Sequence, residues 1–105
     1  MTGPLPVRIV GSAASAIADA ARWWAANREK APDAFYVDLD RALTLIASRP
    51  EIGAIARNPR LAGIRRIYLA RVRYHVYYRV ITTPAPAIEV LAVWHARRGA
   101  EPMIR

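Results

Sequence analysis

Two imidazoles, His75 and His95, stand in strand-like sequence beside aromatic and cationic residues, in "RYHVYYRV" (73–80) and "AVWHARRG" (92–99). Histidine exchanges a proton near neutral pH. The pair is therefore the candidate for general acid–base work. Each also reads as a hydrogen-bonded structural histidine, and both readings stand at this stage. A metal centre is not expected, because two histidines and one nearby carboxylate, Glu89, lack ligand spacing. Arginine offers a second chemistry, the planar recognition of carboxylate or phosphate. Arg97 and Arg98 follow a strand directly, and with Arg73 and Arg79 they form the candidate set for contacting a target. Arg65, Arg66, Arg71 and Arg73 flank a strand hairpin, where single members can also serve as a solvated edge.

The charge has a location. The net charge of +8 comes from 16 basic and 8 acidic residues, and 15 of the basic ones are arginine. Residues 1–55 hold six of each sign, so the whole excess falls in residues 56–105, where ten arginines face Glu89 and Glu101. Arginine-rich composition accounts for the choice of cation but not for this asymmetry. An acidic protein or a nucleic acid is the expected partner of the second half. With no cysteine, neither disulfides nor thiolate metal sites are available. The apolar stretch from Ile9 to Ala18 is too short to span a bilayer and runs straight into Asp19. The expectation is a soluble, cytoplasmic protein without membrane contact, a single domain over 1–105.

These groups need elements to hold them. "PVRIV" (6–10) reads as a short edge strand. A helix capped by Ser12 is expected through about Arg28, with Ala13, Ile17, Ala20, Ala21 and Trp24 as its apolar stripe. Pro32 suits the first turn of a second helix carrying Phe35, Leu39, Ala42, Leu43 and Ile46, which must end before Pro50. "EIGAIARNPRLAG" (51–63) lacks a period and reads as loop. Residues 64–70, 73–81 and 87–95 read as strands. The fold class is then α+β, order βααβββ: a helical hairpin packed on one face of a mostly antiparallel four-stranded sheet. Alternation puts Tyr74, Val76, Tyr78 and Val80 on one face of the middle strand and His75, Tyr77, Arg79 and Ile81 on the other. In the last strand it groups Ile88, Val90, Ala92 and Trp94 against Glu89, Leu91, Val93 and His95. The sheet face turned away from the helices is expected to be open and mixed, a site candidate.

Taken in order, the Ala-rich helix with "RWW", the helix-closing "LIASRPEIG" (45–53), "RYHVYYRV" and "VLAVWHARRG" (90–99) resemble the ParE/RelE superfamily of type II toxins. "RPEIG" and the last two stretches are more similar to the ParE branch. The resemblance covers nearly the whole chain and implies the same βααβββ layout. It implies no cofactor, and a hetero-oligomer with an acidic, partly disordered, ParD-like antitoxin. Its target is DNA gyrase if the chain is ParE-like, and messenger RNA in the ribosome if it is RelE-like. RelE-type catalysis uses lysines, arginines and a C-terminal tyrosine. The single lysine here is Lys30 in the helical hairpin, no tyrosine follows Tyr78, and the family's middle-strand arginine is replaced by His75, while Arg97 matches the one beyond the last strand. The implied toxin acts by binding rather than by cleaving, and a ribosome-dependent endoribonuclease using His75, His95 and Arg97 is the alternative. A third reading, a small nucleic-acid-binding module, rests on the basic half alone.

Neighbouring helical residues diverge by about 100°, so Trp23 and Trp24 cannot share one narrow core. Trp24 follows the apolar stripe. Trp23 is left for an antitoxin contact or for packing on the second helix. The antitoxin is expected near Ala16, Ala20, Arg22 and Trp23, where small residues admit a close helix. Tyr74, Tyr77 and Tyr78 are candidates for base stacking or for packing.

Overall fold

A computed structural model describes residues 3–57 and 60–97. The elements run β1 (Val7–Ile9), α1 (Gly11–Asn27), α2 (Ala34–Ser48), β2 (Ala54–Ile55), β3 (Arg65–Leu69), β4 (Tyr74–Ile81) and β5 (Ala87–His95). They form one five-stranded sheet of order β1-β5-β4-β3-β2. β1 runs parallel to β5, while the β5–β4, β4–β3 and β3–β2 pairs are antiparallel. The α+β class and the helical hairpin stand as expected, but the sheet has five strands and is mixed rather than four-stranded. The extra strand, β2, lies in the segment read as loop. Two residues are too few to show a period, and Ala54 and Ile55 are held by pairing with Arg66 and Arg65.

The helix boundaries shift slightly. α1 begins one residue before Ser12, and its N-cap is Val10, with no side-chain hydrogen bond. Val10 instead continues the sheet, donating its N–H to the Val90 carbonyl at 3.1 Å. α2 starts at Ala34, so Pro32 lies in the preceding turn.

The main core fills the space between helices and sheet. Ala13, Ile17, Ala20 and Ala21 of α1 and Phe35, Leu39 and Ala42 of α2 meet Leu69, Val76, Val90 and Val93. A second layer joins Ile46, Tyr78 and Ile88. β4 keeps the expected alternation through Tyr78, but β5 does not. Tyr77 pairs with Ala92 and Tyr78 with Val90, which leaves Leu91 as the extra residue of a bulge. The bulge reverses parity in β5, so Val93 joins Val90 and Ile88 on the helix side. The expected face grouping of Val93 and His95 with Glu89 is therefore corrected. The other sheet face is also less open than expected, because Ile64, Tyr77 and Leu91 pack there with Ala56 and Leu61 from the β2–β3 connection.

Candidate functional site

Directly opposed residues of an antiparallel pair point to the same face. Tyr74 opposes His95 and His75 opposes Trp94. Since Tyr74 and His75 are neighbours in one strand, the two histidines stand on opposite faces of the sheet. Ring contacts agree: His95 meets Tyr74 edge-on at 5.0 Å, while His75 lies 4.9 Å from Tyr68 and 6.2 Å from Tyr77. The pair therefore cannot flank one scissile phosphate.

His95 belongs to a cleft of about 670 Å³ at the Tyr74 end of β4, lined by Trp23, Trp24, Arg28, Arg71–Tyr74, His95 and Arg97. Three parts of the chain build it: the end of α1, the β3–β4 turn and the residues after β5. Arg73 occupies the turn with φ of 63°, a left-handed conformation that glycine adopts far more readily. It is held there by its own N–H, which donates to the Leu69 carbonyl at 2.7 Å, and by the Ala96 N–H, which donates to the Arg73 carbonyl at 2.9 Å. The same tie fixes the exit of β5. One residue on, the Arg97 N–H donates to His95 Nδ1 at 3.1 Å. Nδ1 is the acceptor in this contact.

The charges around the cleft differ in what they meet. Arg71 donates to both oxygens of Asp38, through Nε at 3.0 Å and Nη2 at 2.6 Å. That bidentate pairing, with Asp33 adding at longer range, raises its pKa above the usual arginine value. Arg28 lies over the rings of Trp23 and Trp24, 4.9 and 5.4 Å from their centroids, a cation–π arrangement. Among the described residues, no carboxylate pairs with Arg28, Arg73 or Arg97. Trp24 is half-buried against the core, and Trp23 is 47% exposed. A shallower groove of about 330 Å³ adjoins the cleft and shares Trp23, Tyr74 and His95 with it; Ala16, Asp19, Ala20, Val93 and Trp94 complete its walls.

The structure thus joins some of the expected site residues and separates others. Arg73 and Arg97 share the cleft. Arg79 does not: its Nε donates to Glu89 at 2.9 Å, and about 20 Å of extended chain separates it from Arg73. Arg98 lies outside the described residues. Ala16, Ala20 and Trp23 line the adjoining groove as one surface, with Ala20 itself buried. Arg22 is exposed and paired with Asp19. Tyr77 and Tyr78 are buried, at 3% and 0% exposure, and are unavailable for stacking. Arg28 escaped the sequence reading. Its position four residues after Trp24 on one helical line was the available signal.

"RPEIG" turns out to be a clamped loop. Tyr78 donates its hydroxyl to the Pro50 carbonyl at 2.7 Å and accepts the Gly53 N–H at 2.9 Å. Arg65 Nη1 donates to the carbonyls of Glu51 and Gly53. Burial raises the Tyr78 pKa above the usual tyrosine value, opposed in part by the Gly53 hydrogen bond.

Among the described residues no group of three or more His, Asp or Glu side chains is placed to hold a metal ion, and no helix is long and apolar enough to cross a membrane. A family model described as the ParE toxin of the type II toxin–antitoxin system parDE matches residues 7–99, which take in every helix and strand above. No curated protein matches the chain significantly.

Proposed function

The chain belongs to the ParE toxin family of type II toxin–antitoxin systems, and from that premise we propose that it stops growth by poisoning DNA gyrase in the cytoplasm, as a single binding domain neutralised by an acidic, ParD-like antitoxin. The observation that favours binding over RNA cleavage is the placement of His75 and His95 on opposite faces of the sheet. Cleavage through a 2′-hydroxyl needs a base and an acid on either side of one phosphorus. The chain has just two histidines and one lysine, Lys30 in the α1–α2 connection, to supply such groups beside its carboxylates and tyrosines.

The antitoxin segment lies along α1 in the groove of Ala16, Ala20 and Trp23. Small side chains there admit close approach, and the half-exposed tryptophan is the anchor. Ordering a disordered segment costs free energy, so a large interface with aromatic anchors is required.

A gyrase supercoiling and cleavage assay with the purified chain is the test. The expected result is accumulation of cleaved DNA and loss of supercoiling. Codon-phased cuts in messenger RNA from intoxicated cells, with gyrase unaffected, would overturn the proposal in favour of the endoribonuclease reading. For the antitoxin groove, Trp23→Ala is expected to weaken antitoxin binding by about 2 kcal/mol. Unchanged affinity would remove the groove from the interface.

A further inference from the structure

We propose that the arginine cleft at the Tyr74 end of β4 is a binding site for single-stranded nucleic acid. The inference does not depend on what the toxin poisons, but Trp23 and Tyr74 also line the groove proposed for the antitoxin. It rests on three convergent observations. First, Arg28, Arg73 and Arg97 reach the cleft from three separate elements, and none has a carboxylate partner among the described residues. Positive charges gathered in one concavity repel one another, and a polyanion relieves that repulsion. Second, Arg73 stands in a left-handed backbone conformation that glycine would occupy more easily. A cationic side chain at a strained turn points to a function for the charge rather than for the fold. Third, the cleft carries aromatic surface beside its cations, with Trp23 nearly half exposed. A positively charged groove with an aromatic platform is the arrangement that follows a single strand and stacks its bases.

The shape selects among polyanions. A nucleic acid strand presents a charge at every residue, which suits arginines clustered in one cleft, whereas a peptide matches them only where it is densely acidic. A duplex meets the protein through paired backbones around stacked bases, and has no unstacked base to place on Trp23. Arg71 contributes less, because Asp38 already holds its guanidinium.

Fluorescence anisotropy of a labelled oligothymidylate of about 12 nucleotides, titrated with the purified chain at several salt concentrations, tests the site. With three phosphates neutralised, the logarithm of the binding constant should fall against the logarithm of salt with a slope of about −2. Arg97→Ala and Arg28→Ala should each reduce that slope by about 0.7, which is about a fivefold loss of affinity at 0.1 M salt. Arg73→Gly is the sharpest variant, since it should lose the same affinity without lowering the melting temperature. Arg41→Ala removes an equal charge from the exposed face of α2 and should bind like the parent chain. No binding at low salt overturns the proposal, as does an Arg41→Ala loss equal to that of Arg97→Ala. A duplex of the same length binding equally well would also overturn it. If an acidic peptide displaces the oligonucleotide at equal charge concentration, the cleft is a protein-docking site instead, and the proposal fails.

Discussion

At one end of β4, Tyr78 and Arg79 meet their hydrogen-bond partners inside the chain; at the other, Arg73 joins Arg28 and Arg97 in a cleft that offers them no carboxylate among the described residues. Both ends are polar and both adjoin the core, yet they do opposite things. Tyr78 has no exposed surface, and its hydroxyl spends one bond as donor and one as acceptor on the "RPEIG" loop. A buried polar group is tolerated when it is satisfied, so that end fixes the join between α2 and β2. At the cleft, none of the three guanidiniums has a carboxylate partner among the described residues, although Arg28 donates to the Asn27 carbonyl and lies over the Trp23 and Trp24 rings. A residue with positive φ is retained there where glycine would be easier. Polar groups that the fold consumes stabilise it, and polar groups that the fold leaves over are available to a partner.

Substitutions at the two ends should therefore separate stability from function. The largest effect on stability belongs to Gly53. A Cβ there would lie 2.6 Å from the Tyr78 hydroxyl, 2.8 Å from its ring and 2.9 Å from the Arg66 carbonyl. Backbone on one side and a buried ring on the other leave nowhere to relax. Gly53→Ala is expected to cost about 3 kcal/mol, a fall of roughly 15 °C in Tm by thermal melting. Tyr78→Phe keeps the ring but leaves the Pro50 carbonyl and the Gly53 N–H without their partner. Its expected cost is about 2 kcal/mol in denaturant titration. The same hydroxyl gives an alkaline signature. Its pKa is raised in the folded chain, so the unfolded chain loses this proton first. The stabilisation is full below the ordinary tyrosine pKa of about 10 and is lost as pH rises through the higher folded value. Tyr78→Phe should flatten that alkaline decline, and a variant that still loses stability as steeply would refute the assignment.

The elements themselves were legible because each has its own period. Ala13, Ile17, Ala20 and Ala21 recur at helical spacing, and the strands from 64 to 95 are dense in Ile, Val and Tyr. What stayed hidden depended on other parts of the chain. β2 is two residues long and exists through its pairing with Arg65 and Arg66. The bulge at Leu91 depends on how two strands align, and it decides which face His95 occupies. An alternation rule applied across it places His95 on the wrong side. The arginines illustrate the same limit. Arg73 and Arg97 lie 24 positions apart in sequence, and the turn hydrogen bond between Ala96 and Arg73 brings their segments together. Arg79 looked equivalent to them until the register set Glu89 opposite it.

Arg79 gives the next smaller effect on stability. Its ion pair with Glu89 is partly exposed, with side-chain exposures of 32% and 22%. Solvent screens part of the attraction, so Arg79→Gln should cost about 1 kcal/mol. Because this arginine is held by Glu89, the variant should keep the toxicity of the parent chain once its expression level is matched. Loss of growth arrest with Arg79→Gln at matched level would move the functional surface toward the wrong end of β4.

Arg97 closes the series, with the smallest effect on stability and a large one on activity. Its side chain is exposed, and it is the backbone N–H, not the guanidinium, that holds His95 Nδ1. Arg97→Ala keeps that N–H, so its change in stability should stay within about 0.5 kcal/mol. If the cleft carries toxicity, the same variant should arrest growth far less when expressed without antitoxin. Arg97→Lys then distinguishes what the site uses. A lysine restores the charge but not the planar pair of donors. Recovery of arrest by Arg97→Lys would mean that the field of the cleft is sufficient, whereas continued growth would mean that the partner is gripped by a two-pronged guanidinium contact. Full toxicity in Arg97→Ala would break the comparison between the two ends, because the end without a carboxylate partner for its arginines would then be no more functional than the end where Glu89 holds Arg79.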